Sequence, residues 1–170
     1  MIELLILYEL SKKTSTMYGI SKSINADLSV LTMPSIGTIK PALVRLEGLG
    51  FVKTTKSISK GGRPSVYYSI TGPGEIALKA YMKMPIKDNP IQFLATARVR
   101  MYCADVLSPN ELFELIDMLR YKLINLISDT SKLVEKNEKD FYPRVVLDNL
   151  NCEYKNFLSL LEGVERACKR

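Results

Sequence analysis

Apolar residues fill almost every position from Ile2 to Leu10, the pattern of a helix buried on all sides, and a helix is expected over Ile2–Lys12. Lys13-Thr14-Ser15 breaks it. A second helix follows over Thr16–Asn25, capped by Ser15 or Thr16, with Ile20 and Ile24 inward and Lys22 outward. Packing in the core is the expectation for Tyr18. Residues 25–34 read as a loop. Ile39, Leu43, Leu46 and Leu49 recur at spacings of 4, 3 and 3, placing a third helix from Ser35 to Gly48-Leu49-Gly50. Gly50 suits the position just past a helix end. Pro41 falls early in this helix, where proline costs little only in the first turn.

The period then shortens. Phe51–Ser57 and Val66–Ile70 are rich in β-branched and aromatic residues, with Ser59-Lys60-Gly61-Gly62-Arg63-Pro64 between them. Two strands joined by a glycine-bearing link form a hairpin, and Pro64 opens its second strand, where a missing N–H is tolerated. Thr71 caps a fourth helix with its body over Glu75–Lys83. Pro85-Ile86-Lys87-Asp88-Asn89-Pro90 marks a boundary, and the remainder carries no strand signal. A helix from about Ile91 to Leu107 comes next. Ser108-Pro109-Asn110-Glu111 is a capping box with proline at the first helical position.

Leu112, Ile116, Leu119, Leu123, Leu126, Thr130 and Leu133 alternate at spacings of 4 and 3, and Leu147, Leu150, Tyr154, Phe157, Leu161, Val164 and Cys168 at 3 and 4. Both are heptad seams. They pair either as an antiparallel hairpin within one chain or across a dimer. Residues expected to dimerise are Leu112, Leu119, Leu123, Leu126, Leu150, Tyr154, Phe157 and Leu161. The order of three helices, a hairpin and a helix is that of a winged helix-turn-helix. The expected fold class is therefore α+β, mostly α. A winged helix-turn-helix DNA-binding domain spans 1–85 and a helical, coiled-coil-like dimerisation domain spans 86–170.

Charge sharpens this picture. The net charge is +6, and residues 1–85 carry 11 Lys and Arg against 5 Asp and Glu, whereas residues 86–170 carry 13 of each sign. Ser35–Tyr68 holds Lys40, Arg45, Lys53, Lys56, Lys60 and Arg63 against Glu47 alone. A one-signed field on one module is the footprint of a polyanion binder; solvated surface lysine is the rival reading. The chain has no histidine, which excludes Ser-His-Asp and Cys-His chemistry and His-ligated zinc. No phosphate loop is present, and neither a cofactor, a metal nor an enzymatic activity is expected. Cys103, Cys152 and Cys168 form no CxxC and read as core packing in a reducing cytoplasm. No apolar run reaches the roughly 18–20 residues of a membrane span.

The end of the third helix fits a major groove, with its early residues facing base edges. Ser35, Thr38 and Lys40 are the candidate base and phosphate contacts there. Arg45 is either a phosphate clamp or the partner of a nearby carboxylate. Lys22 on the preceding helix and Lys56, Lys60 and Arg63 on the wing would neutralise phosphates or, for Arg63, enter the minor groove. A cleft between wing module and helical domain would draw on Tyr67, Tyr68, Phe93 and Met101 for a ligand. The alternative reading is a winged-helix module that binds protein.

Met33-Pro34-Ser35-Ile36-Gly37-Thr38-Ile39-Lys40-Pro41-Ala42-Leu43-Val44-Arg45-Leu46, with the wing Gly62-Arg63-Pro64-Ser65-Val66-Tyr67-Tyr68-Ser69-Ile70-Thr71, resembles the PadR family of transcriptional regulators. The similarity covers roughly residues 1–84. The second half is similar, more weakly, to the helical domain of its virulence-activator branch, in which long helices dimerise antiparallel. The resemblance implies a homodimer on a pseudo-palindromic double-stranded DNA operator, commonly as a repressor, in some members answering to a small aromatic or drug-like effector. Three features depart from the family pattern. Lys40 stands where tyrosine is usual, Ser65 and Val66 follow Arg-Pro in place of basic residues, and Tyr18-Gly19 reverses the common Gly-Tyr.

Overall fold

The computed structural model describes residues 1–58, 62, 64–86 and 89–169. It divides into two compact units, Met1–Val106 and Leu107–Arg170. The sequence reading drew a boundary at 85/86.

In the first unit the described residues form helices α1 (Ile2–Lys12), α2 (Met17–Leu28), α3 (Ile36–Gly48), α4 (Gly72–Lys83) and α5 (Pro90–Tyr102). A sheet of β1 (Ser15–Thr16), β2 (Val52–Ile58) and β3 (Pro64–Ile70) accompanies them, antiparallel and in the order β1-β3-β2. α1 is buried from Leu4 to Leu10, as its all-round apolar pattern requires. Ile20, Ile24 and Leu28 of α2 and Ile39, Leu43 and Leu46 of α3 complete the core.

Caps start these helices. Thr16 accepts the Gly19 N–H at 3.1 Å, and Thr71 accepts that of Gly74 at 3.1 Å. α2 runs on to Leu28, because Leu28 reaches the core and is 1% exposed. The loop before α3 is therefore shorter than expected.

β1 was not anticipated. It pairs Ser15 with Tyr68 and Thr16 with Tyr67, too few residues to show a period. β2 and β3 pair from Val52–Ile70 to Ile58–Pro64, so the wing has one continuous register. Its root is held at Gly50, in the left-handed region at φ 73°. There Thr71 Oγ1 donates to the Gly50 carbonyl at 2.6 Å. α4 begins so close to β2 that a Cβ on Gly74 would sit 2.1 Å from the Phe51 carbonyl oxygen.

α5 lies with the first unit. Phe93, Leu94, Ala97 and Val99 are buried, and Tyr102 meets Tyr8 of α1 edge-on with ring centroids 6.0 Å apart. α5 ends at Tyr102 and a short 3₁₀ turn, Ala104–Val106, follows it, where the sequence suggested helix to Leu107.

The second unit is a helical hairpin of α6 (Pro109–Lys136) and α7 (Phe141–Cys168). The capping box at Ser108 and Glu111 is formed. Leu119, Leu123, Tyr154, Phe157 and Leu161 are buried within this single chain. Arg120 joins Asp117 and Glu165, and Asn151 donates to Ser131 at 3.1 Å. Of the two pairings the seams allowed, this is the intrachain one.

Leu112, Leu126 and Leu150 are only half-buried, and Leu133 and Cys168 are exposed. A heptad stripe drifts about 20° per heptad on an α-helix, so the ends of a three-heptad seam rotate off its centre. That corrects the core assignment of Cys168; Cys152 is exposed too, and Cys103 alone of the three is buried. Among the described residues no helix is long and apolar enough to cross a membrane.

Candidate nucleic-acid interface

α2 and α3 pack together, and α3 turns one side to the core and the other to solvent. Ile39, Ala42, Leu43 and Leu46 are buried on one face, so Gly37, Lys40, Pro41 and Val44 line the opposite one, with Thr38 and Arg45 along its edge. Pro34, just before the cap, is buried and anchors the entry to the helix.

At the exposed N-terminus, Ser35 is the cap residue and its Oγ lies 3.2 Å from Thr38 Oγ1. Two hydroxyls and the positive end of the helix dipole thus meet at one solvent-facing point. Lys40 projects one turn on. Pro41 sits inside the helix, past the first turn where it would be cheapest. Lacking an N–H, it leaves the carbonyl of the exposed Gly37 without its helical donor.

Each remaining candidate has a definite place. Lys22 is exposed on α2 and Lys56 is exposed on β2, opposite Val66. Lys60 and Arg63 lie outside the described residues. Arg45 is an ion-pair partner: its Nε donates to Glu3 Oε1 of α1 at 2.7 Å. Of the two roles open to it, the structure shows the carboxylate pairing. Glu47, the one acid of the Ser35–Tyr68 stretch, accepts from Thr54 Oγ1 at 2.7 Å and is tied down to β2.

Two exposed apolar side chains join this surface. Val44 is 62% exposed at the centre of the outward face, able to meet a thymine methyl. Tyr18, expected in the core, is 72% exposed on the first turn of α2. Its neighbour Gly19 is drawn close to the Ser15 and Thr16 side chains, which fixes the turn and sends Tyr18 outward. The missed signal for Val44 was its place across the helix from the core stripe.

Tyr67 and Tyr68 are half-buried on β3, Met101 is half-buried, and Phe93 is 1% exposed. None of these four lines the cavity formed by α1, α4 and α5.

Residues 6–80 match the transcriptional regulator PadR-like family. A PadR family transcription regulator from Clostridium difficile is 31% identical, the match covering 46% of this chain and 80% of that one with a TM-score of 0.42. The chain belongs to the PadR-like family of transcriptional regulators.

A transcriptional regulator from Clostridium thermocellum is similar at 29% identity over 46% of this chain and 75% of that one, with a TM-score of 0.42. Bacillus subtilis PadR in complex with operator DNA is similar at 22% identity over 98% of each chain, with a TM-score of 0.46. No curated protein matches the chain. The family segment spans α2, α3, β2 and β3, so the exposed face of α3 and the wing are the parts of this PadR-like protein that the family match covers.

Proposed function

We propose that this PadR-like protein is a homodimeric, sequence-specific DNA-binding transcription regulator that acts as a repressor. In this reading α3 enters the major groove, and the wing lies on the backbone or in the minor groove. The observation that carries it is the exposed N-terminal end of α3, with Ser35, Thr38 and Lys40 on a module holding six basic residues against one acid between Ser35 and Tyr68. Thr38 and Val44 read base edges, and Lys22, Lys40, Lys56, Lys60 and Arg63 take phosphates.

A second copy supplies the second recognition helix, about 34–36 Å away across a pseudo-palindromic site. The central seam leucines are used within one chain, so the dimer draws on the outer face of the hairpin. Phe141, Tyr142, Val145 and Val146 support that role, since all four are exposed on the first two turns of α7. Burying such side chains stabilises by about 1.5–3 kcal/mol each.

The test is binding of the purified protein to its own upstream DNA and to a scrambled duplex at two salt concentrations. Preference for its own DNA, with affinity falling steeply in salt, is expected. Equal affinity for both duplexes would refute specific recognition at this promoter. Absence of binding even at low salt would favour a module that binds protein.

A further inference from the structure

Gly37 and Pro41 stand one turn apart on the outward face of α3, and both are exposed. They are the two residue types that most disfavour a helix interior. Nothing inside the protein calls for either. Gly37 is not among the glycines with positive φ, which among the described residues are Gly50 and Gly62. A Cβ built on it would meet, outside its own helix backbone, only Ser35 Oγ at 3.5 Å, an ordinary contact. Pro41 lies past the first turn, so its missing N–H costs a helical hydrogen bond. Residues that break local rules without a packing reason mark functional or strained positions.

What the two residues leave open is main chain. Without a side chain on Gly37, another molecule can approach the backbone closely. Without an N–H on Pro41, the Gly37 carbonyl lacks its helical donor and stands as an acceptor beside the apolar proline ring. Val44, 62% exposed, continues the apolar strip. It lies three residues on, ~4.5 Å along the helix, roughly one base-pair step of ~3.4 Å. α3 contains no Asn or Gln, and its one arginine, Arg45, is bound to Glu3. The amides that grip adenine bidentately are therefore missing from this face, and the arginine that grips guanine is engaged elsewhere.

We propose that Gly37, Pro41 and Val44 form a reading surface for A·T base pairs, an inference that rests on the DNA-binding reading above. The Gly37 carbonyl accepts from the adenine N6 amino group, and the Pro41 ring covers the 5-methyl group of the paired thymine. Val44 covers a thymine methyl one step along. An A·T pair offers that donor and that methyl on one major-groove edge, whereas a G·C pair offers a donor on cytosine and no methyl. This specificity comes from main chain and apolar contact, so it adds nothing to the salt slope.

A tight-binding duplex selected by the full chain from a randomised library supplies the probe. Each thymine is then replaced singly by deoxyuridine, which removes only the methyl group, and each adenine by purine deoxyriboside, which removes only the amino group. Fluorescence anisotropy at fixed salt reads the affinities. At an A·T pair of this duplex both replacements are expected to weaken binding, deoxyuridine about fourfold and the purine about 2- to 13-fold. A neighbouring pair should respond to deoxyuridine. Pro41→Ala returns a donor to the Gly37 carbonyl and should abolish both effects at the first pair, and Val44→Ala should abolish the deoxyuridine effect at its neighbour alone. Gly37→Ala should bind the selected duplex at least about fivefold more weakly. Its salt slope should be unchanged and its melting temperature equal to or above the parent's, because alanine suits a helix better. Indifference of the duplex to both analogues, normal binding by Gly37→Ala, or analogue effects that survive in Pro41→Ala and Val44→Ala would overturn the inference and leave DNA binding in place. A lower melting temperature for Gly37→Ala would assign the glycine to the fold and overturn it too. A library from which no duplex is enriched would overturn the DNA-binding reading and this inference with it.

Discussion

The Glu3–Arg45 pair makes a quantitative prediction about DNA binding. Arg45 Nε and Glu3 Oε1 are 2.7 Å apart, but the side chains are 56% and 28% exposed, so water and salt screen the attraction. Pairs of this kind contribute about 0.2–1 kcal/mol. Arg45 must give up that amount to reach a phosphate. Glu3→Gln keeps an oxygen to accept from Tyr81 and removes the charge that holds Arg45. Affinity for DNA should then rise by about 1.4- to 5-fold, the factor equivalent to that energy at 25 °C. The slope of log affinity against log salt should steepen by ~0.9, one more phosphate being neutralised. Arg45→Ala, which leaves no guanidinium to release, should keep the parent's affinity and slope, and adding Glu3→Gln to it should change neither. Fluorescence anisotropy with one duplex over a salt series measures both quantities, and a melting curve checks the fold, which should lose no more than about 2–4 °C. Unchanged affinity and slope in Glu3→Gln would refute the argument and leave Arg45 as a strut between α1 and α3.

Other consequences can be measured separately. Lys40→Ala, Lys56→Ala, Lys60→Ala and Arg63→Ala should each weaken binding alike on all duplexes and flatten the salt slope by ~0.9. Thr38→Val should shift sequence preference by about 1 kcal/mol at an unchanged slope, read from a panel of single-base variants. Leu119→Ala should cost about 2–5 kcal/mol by chemical denaturation, since Leu119 is fully buried between α6 and α7, whereas Val145→Asp should give a folded monomer by sedimentation. Burial and the nearby Asp105 push the Cys103 thiol up to about 12, so at pH 8 it should resist a thiol reagent that labels the exposed Cys152 and Cys168. Because that thiol is neutral in the folded state, its stabilising contribution is complete below the ordinary thiol range and is lost as pH rises toward 12.

Much of the fold was legible because its signals are local. The Thr16 and Thr71 caps, the Ser108–Glu111 capping box, the 3–4 spacing of Ile39, Leu43 and Leu46 and the glycine after α3 each act within a few residues. Those spacings alone set the outward face of α3, and the sequence alone concentrates basic residues on that module. The family marks lie in the same stretch. β1 escaped notice for the opposite reason: two residues have no period, and their pairing with Tyr67 and Tyr68 is made across the fold.

Tertiary structure decided the rest. Heptad spacing is the same for a hairpin and for a dimer, so only packing assigned Leu119, Leu123, Tyr154, Phe157 and Leu161 to one chain. Arg45 meets a carboxylate 42 positions away, a distance over which sequence carries no geometric information. Arg100 reads as one more basic residue of a helix, yet α5 buries it, and its Nε and Nη1 have no hydrogen-bond partner among the described residues. Periodicity determines which face of a helix is buried; what that face is buried against, and therefore which charges find partners, depends on how the helices pack.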